Sequence, residues 1–177
     1  MEFIATLRIV GAATLLLVSN YCAAQEASDE RIPLMFTNGL VKSEGTKLDS
    51  CTVIVYQNND SVHSQVTGRS GKYELLLKQD QEYGIIFQRE GFVPKRIMID
   101  THAKITPENF ASLSLAMVIN LMKAEKFDGA NTDALDFPFA IMKYDPKLNG
   151  FGEDPAYTAG VMRTNGALLL AAGRSGK

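Results

Sequence analysis

From Pro33 to Asp100 short apolar runs alternate with clusters of turn-forming residues. Leu34 to Val41 is the first run and Thr52 to Gln57 the second, closed by Asn58-Asn59-Asp60-Ser61. Ser61 to Thr67 is of mixed polarity, which fits an edge or solvated strand, and Gly68-Arg69-Ser70-Gly71 is a strong turn. Tyr73, Leu75 and Leu77 then alternate on one face, as do Tyr83, Ile85 and Phe87, and Ile97 and Ile99 within Lys95 to Asp100. Val53 and Val55 point one way while Ile54 and Tyr56 point the other, so that strand is expected to be central, apolar on both faces. About six strands at spacings of about 8–12 residues predict an antiparallel β-sandwich. No long helical pattern interrupts them, so a parallel α/β sheet is not supported.

Past residue 104 the pattern changes. Thr106-Pro107 has the form of a helix start, yet Leu113, Leu115, Met117, Ile119 and Leu121 alternate strictly. Phe110, Leu113, Met117 and Leu121 also fit one helical face; the reading leans to a strand from about Ser112 to Met122 after a helical turn. Lys126 to Phe137 reads as a polar loop, Pro138 to Tyr144 as a strand and Asp145 to Gly152 as a loop. Asp154-Pro155 reads as an N-cap and first-turn pair opening a helix to about Ala172, with Tyr157, Val161, Leu168 and Leu169 on its apolar side. The segment Ala167 to Ala172 is apolar all round and is expected to lie buried against the sandwich.

The first 24 residues read as an address. Arg8 and the terminal amine precede an apolar run from Ile9 to Val18, followed by Ser19-Asn20-Tyr21-Cys22-Ala23-Ala24. This is the three-part pattern of a secretory signal peptide, with cleavage expected after Ala24. Ten apolar residues are about half of what a membrane-spanning helix needs, so no transmembrane span is expected once the signal is removed. Lipidation at Cys22 is the minority reading, because Tyr21 is bulky where a small residue is usual. Residues 25–32 read as a flexible lead-in. The domain reading is therefore 1–24 signal, 25–32 lead-in, 33–104 sandwich and 105–177 a mixed extension ending in a helix.

Composition narrows the function classes. With 46% hydrophobic and 21% charged residues the chain is too apolar for general disorder. Eighteen Lys and Arg against twenty Asp and Glu, without a basic run, exclude a phosphate-neutralising nucleic-acid binder. Two cysteines exclude a disulfide-dense scaffold. With Cys22 gone, Cys51 is a lone thiol ahead of an apolar run, and it is expected to be buried.

Gly39-Leu40-Val41, Leu48 with Cys51 to Val55, Thr67 to Tyr73 (TGRSGKY), Tyr83 to Phe87 and Glu90 to Lys95 together resemble the carboxypeptidase regulatory-like domain. The resemblance covers roughly residues 34–102. It implies a transthyretin-like (prealbumin-like) β-sandwich of the kind common in exported proteins of Bacteroidetes-type bacteria. Gly68 departs from the family pattern, which often has Asp there. The matching residues are turn glycines and core aromatics, so they speak to fold and hardly to function. Gly71 and Gly91 read as turn residues able to take positive φ.

Candidate chemistry is sparse. Asp128, Asn131, Asp133 and Asp136 offer hard oxygen ligands but lack EF-hand spacing, and are read as a solvated loop. Asn58, Asn59 and Asp60 read as a hairpin turn. His63 and His102 are the two histidines, both expected to be exposed. Hydroxyisourate hydrolases share the implied fold and use His and Arg, but the terminal Gly173-Arg174-Ser175-Gly176 lacks the Tyr that precedes their ending. No nucleophile–base set is legible around either histidine. No catalytic residue, cofactor or metal is therefore expected. The reading is an exported, non-catalytic interaction or assembly module of the bacterial envelope, periplasmic or outer-membrane associated, with an envelope protein as partner. The alternative is carbohydrate or small-ligand binding, with Tyr56, Phe92, Tyr144 and Phe151 as candidate stacking residues.

Overall fold

The structure, a computed structural model, describes residues 33–103, 105 and 116–175. The expected signal peptide and lead-in, the expected helical start at Thr106-Pro107 and the first part of the segment at 110–122 lie outside the described residues. The described residues are mainly β: two sheets face each other, and one long helix follows them. The strands are β1 (Leu34–Ser43), β2 (Thr46–Lys47), β3 (Thr52–Gln57), β4 (Asp60–Val66), β5 (Lys72–Leu77), β6 (Glu82–Gln88), β7 (Lys95–Asp100), β8 (Val118–Asn120), β9 (Ala140–Asp145) and β10 (Gly150–Glu153). The helix α1 spans Pro155–Ser175. Among the described residues, no helix is long and apolar enough to cross a membrane.

One sheet runs β2-β1-β5, with β8 paired in parallel to the other edge of β1. The second runs β10-β9-β7-β6-β3-β4, antiparallel except where β7 meets β9. The period-two pattern explains the core. Leu34, Phe36, Tyr73, Leu75 and Leu77 from the first sheet meet Val53, Val55, Tyr83, Ile85, Phe87, Ile97 and Ile99 from the second, all buried. Each such side chain contributes roughly 1.5–3 kcal/mol by leaving water. Tyr73 and Phe87 join the two sheets edge to face, with ring centroids 5.1 Å apart. As expected, β3 is internal to its sheet, between β6 and β4.

Turn chemistry fixes the register. Asn58 and Asn59 take φ of 51° and 69° between the paired Gln57 and Asp60, the geometry of a type I′ hairpin. Gly71 has φ of 66°, and a Cβ there would lie 2.6 Å from the Val41 carbonyl oxygen. At Gly39, beside a bulge in β1, a Cβ would fall 2.5 Å from the Tyr73 ring, so glycine is what lets that ring cross the strand. Thr67 is buried, and its hydroxyl donates to the Leu48 carbonyl and accepts from the Cys51 N–H, both at 3.0 Å. Cys51 is buried as expected, and burial pushes its thiol up to about 11.

The second half departs from its sequence reading in several places. The described strand within 112–122 is short, Val118–Asn120, because it pairs along only three residues of β1. Residues 150–152, read as loop, belong to β10, which folds back on β9. The polar loop at 126–137 holds parts of two 3-10 helices, Ala124–Phe127 and Asp133–Asp136, which bury Phe127 and Leu135. Asp154 caps α1 as expected: its Oδ1 accepts the N–H groups of Ala156 and Tyr157 at 3.0 and 3.1 Å. Tyr157, Val161, Leu168 and Leu169 are half-buried on the inner side, yet Leu170 is 67% exposed. The apolar segment Ala167 to Ala172 is thus one-sided, because α1 lies across β9 and the two 3-10 helices rather than inside the core.

Candidate functional site

The structure keeps the sequence candidates apart. His63 sits on the exposed edge strand β4, and His102 follows β7; both are exposed as expected. In the loop cluster, Asn131 accepts the backbone N–H of Asp133 at 2.9 Å, and Asp136 pairs with Arg96 at 2.9 Å. Asn131 and Asp136 are thus engaged locally. Tyr144 and Phe151 pack on each other and on the core, with centroids 5.9 Å apart, and Phe92 lies under Arg89. Three of the four aromatic candidates line surface hollows: Phe92 and Tyr144 one each, and Tyr56 one of about 300 Å³ on the outer face of the second sheet. The floor of that hollow is Gly84, paired to Tyr56 on one side and Met98 on the other, with Ile86 beside it and Asn59 and Arg96 at the rim.

The structure also assembles groups that the sequence reading missed. Glu82 and Asp100 are cross-strand partners on β6 and β7, and His102 stands two residues on. Their donor atoms lie within 4.8 Å of one another, so they are the described group with the reach to hold a cation. The Asp100 carboxylate accepts the His102 backbone N–H at 3.0 Å and lies 2.8 Å from its Nδ1. Burial pushes the Asp100 carboxyl up, but His102 and then Lys143 outweigh this and hold it below the usual carboxylate range. Lys143 is the β9 partner of Asp100, so a counter-charge is already in place.

A second unforeseen feature is a small cleft of about 160 Å³ where β7, β8 and β9 pass beneath α1. Its walls include Ile97, Ile119, Phe139, Met142 and Met162. The Lys95 ammonium lies 4.5 Å from the Phe139 ring centroid and donates to the Asn120 carbonyl at 3.4 Å. Burial lowers the Lys95 pKa from the ordinary lysine range, opposed by the charge of Glu153.

A third feature is the rim at β4. All but one residue of Asp60–Val66 is exposed, and Val62 and Val66 are 52% and 65% exposed. One side of β4 pairs with β3; among the described residues it ends the sheet on the other. Gln65 turns across to the other sheet, where its side-chain amide bonds both the N–H and the carbonyl of Glu74 on β5.

No family model matches the chain, and no curated protein sequence matches it. Among solved structures, a catechol 1,2-dioxygenase from Acinetobacter sp. ADP1, inhibited by bound mercury, is similar with a TM-score of 0.40 at 10% identity. The match covers 64% of this chain and 59% of that one, less than two thirds of its length.

Proposed function

We propose that this chain is an exported, non-catalytic interaction module of the bacterial envelope, built on a carboxypeptidase regulatory-like sandwich. The observation that carries the reading is the edge of β4, left open among the described residues. An unpaired strand edge is a template for another chain, and proteins usually blunt it with Lys, Pro or a bulge. Asp60–Val66 contains neither Lys nor Pro. Its one bulge lies near the hairpin, between the Val55–His63 and Tyr56–Ser61 pairs, and leaves His63 to Val66 regular. The partner chemistry that fits is an extended segment adding to β4 through main-chain hydrogen bonds, with small apolar side chains beside Val62 and Val66. The non-catalytic part rests on the lack of a nucleophile–base pairing in the sequence, and the export part on the N-terminal pattern. The test has two arms. Fractionation with N-terminal sequencing should find the chain in the envelope, beginning at Gln25. Capture from cross-linked envelopes should yield one stoichiometric partner that Val62→Lys/Val66→Lys loses. A chain retained in the cytoplasm, or a partner held equally by the variant, contradicts the reading.

A second reading is small-ligand or glycan binding at the Tyr56 hollow, supported by an aromatic wall above the bare Gly84 floor. Gly84→Leu would fill that hollow, and a glycan array bound by the wild type and not by the variant would favour it.

A further inference from the structure

We propose that the cleft beneath α1 binds a small organic monocarboxylate with a compact apolar body, its carboxylate held by Lys95. Lys95 is drawn into apolar surroundings and makes no ion pair among the described residues. An ammonium in such a place is destabilising unless a counter-charge meets it. Its described contacts are one carbonyl, that of Asn120, and the face of Phe139, while the exposed Glu153 acts on it only by its charge, within the cleft but outside ion-pair distance; donors are left free. The helix above the cleft carries a second donor. Thr158 belongs to the first turns of α1, and its buried Oγ1 has no hydrogen-bond partner among the described residues. A helical threonine ordinarily bonds back to the carbonyl four residues earlier, as Thr164 does to Gly160 at 3.3 Å. Thr158 makes no such bond, so the cleft is lined by an ammonium with donors beyond its Asn120 bond and by a hydroxyl without a described partner.

Size and charge set the ligand class. The cleft holds about 160 Å³, and an apolar cavity of about 150 Å³ takes up benzene. The body is therefore a single small ring or a short branched chain, lying on Ile97, Ile119, Met142 and Met162. Glu153 also lines the cleft, and it is exposed. Its carboxylate opposes every added negative charge, so one charge matched by Lys95 is tolerated better than two, which favours a monocarboxylate over a dicarboxylate.

The test is a nuclear magnetic resonance titration of the isotope-labelled chain with sodium benzoate, benzyl alcohol and phthalate. Benzoate is expected to shift the amides of Lys95, Ile97, Ala140 and Thr158 saturably. Benzyl alcohol and phthalate should each bind about tenfold more weakly, the scale of a hydrogen bond to a charged group. Lys95→Met should keep the fold and abolish the preference for benzoate over benzyl alcohol. Thr158→Val should weaken benzoate roughly threefold, as loss of a neutral hydrogen bond does, and it carries the test if the Lys95 variant fails to fold. Absence of saturable shifts at these residues, equal affinity for benzyl alcohol, or benzoate affinity unchanged by both substitutions would overturn the proposal.

Discussion

The two rims of the sandwich close the gap between the sheets in different ways. At the β4–β5 rim the join is polar: the Gln65 side chain reaches from one sheet to bond the backbone of Glu74 on the other. At the opposite rim the join is apolar, made by β8, β9 and the inner side of α1. A polar clip is thin and leaves a backbone edge in water. A helix is thick; it lies across β9 but does not follow the pleat, and a cleft remains beneath it. The first rim therefore offers main-chain hydrogen bonds to a partner, and the second offers volume and a cation.

Breaking the comparison starts with packing. Ile97 is 2% exposed and lines the cleft, so Ile97→Ala should cost about 2–5 kcal/mol. Val66→Ala on the open rim should stay within about 0.5 kcal/mol. Chemical denaturation of both variants measures the contrast, and equal losses would remove the distinction between a packed and an open rim. The polar clip comes next. Gln65→Ala should cost roughly 1 kcal/mol and speed hydrogen exchange at the Glu74 amide while leaving the β9 amides unchanged. Thr158→Val should be neutral or stabilising by up to about 1 kcal/mol, because it removes a buried hydroxyl without a described partner.

The smallest effect is the acid dependence at the Glu82–Asp100–His102 group. Burial favours the protonated Asp100, but the His102 bonds and Lys143 prevail, so its folded pKa lies below the ordinary value of 3.8. The resulting stability is complete above that value and is lost as pH falls through the lowered one. Asp100→Asn should flatten this acid limb in thermal melts at pH 2–5, and an unchanged limb would show that the contribution is absent. Separately, Cys51 should resist iodoacetamide at pH 8 in the folded chain and react on denaturation, since its thiol is buried and titrates at about 11.

How much of this was legible follows the range of each interaction. The strands from Leu34 to Asp100 announce themselves because side-chain alternation and turn residues such as Asn58-Asn59 and Gly71 act locally. The α1 start was legible for the same reason, through Asp154 and Pro155. β8 was legible only as part of the longer alternating run Ser112 to Met122; its three-residue length and its parallel pairing were not, because the partner β1 lies some eighty residues earlier. The turns that bury Phe127 and Leu135 look polar because most of their other residues face solvent. Lys95 was hidden in a different way. Its neighbours Asn120, Phe139 and Thr158 come from separate elements, and nothing in the run Pro94 to Asp100 marks it as the residue drawn beneath the helix.

The measurement that bears most directly on the interaction reading is a hydrogen-exchange footprint on the full chain, alone and with the partner recovered from cross-linked envelopes. The account expects new protection across His63–Val66 on β4, with the β7–β9 rim unchanged. Protection confined to the α1 rim or the Tyr56 hollow, with β4 exchanging as in the free chain, would contradict it.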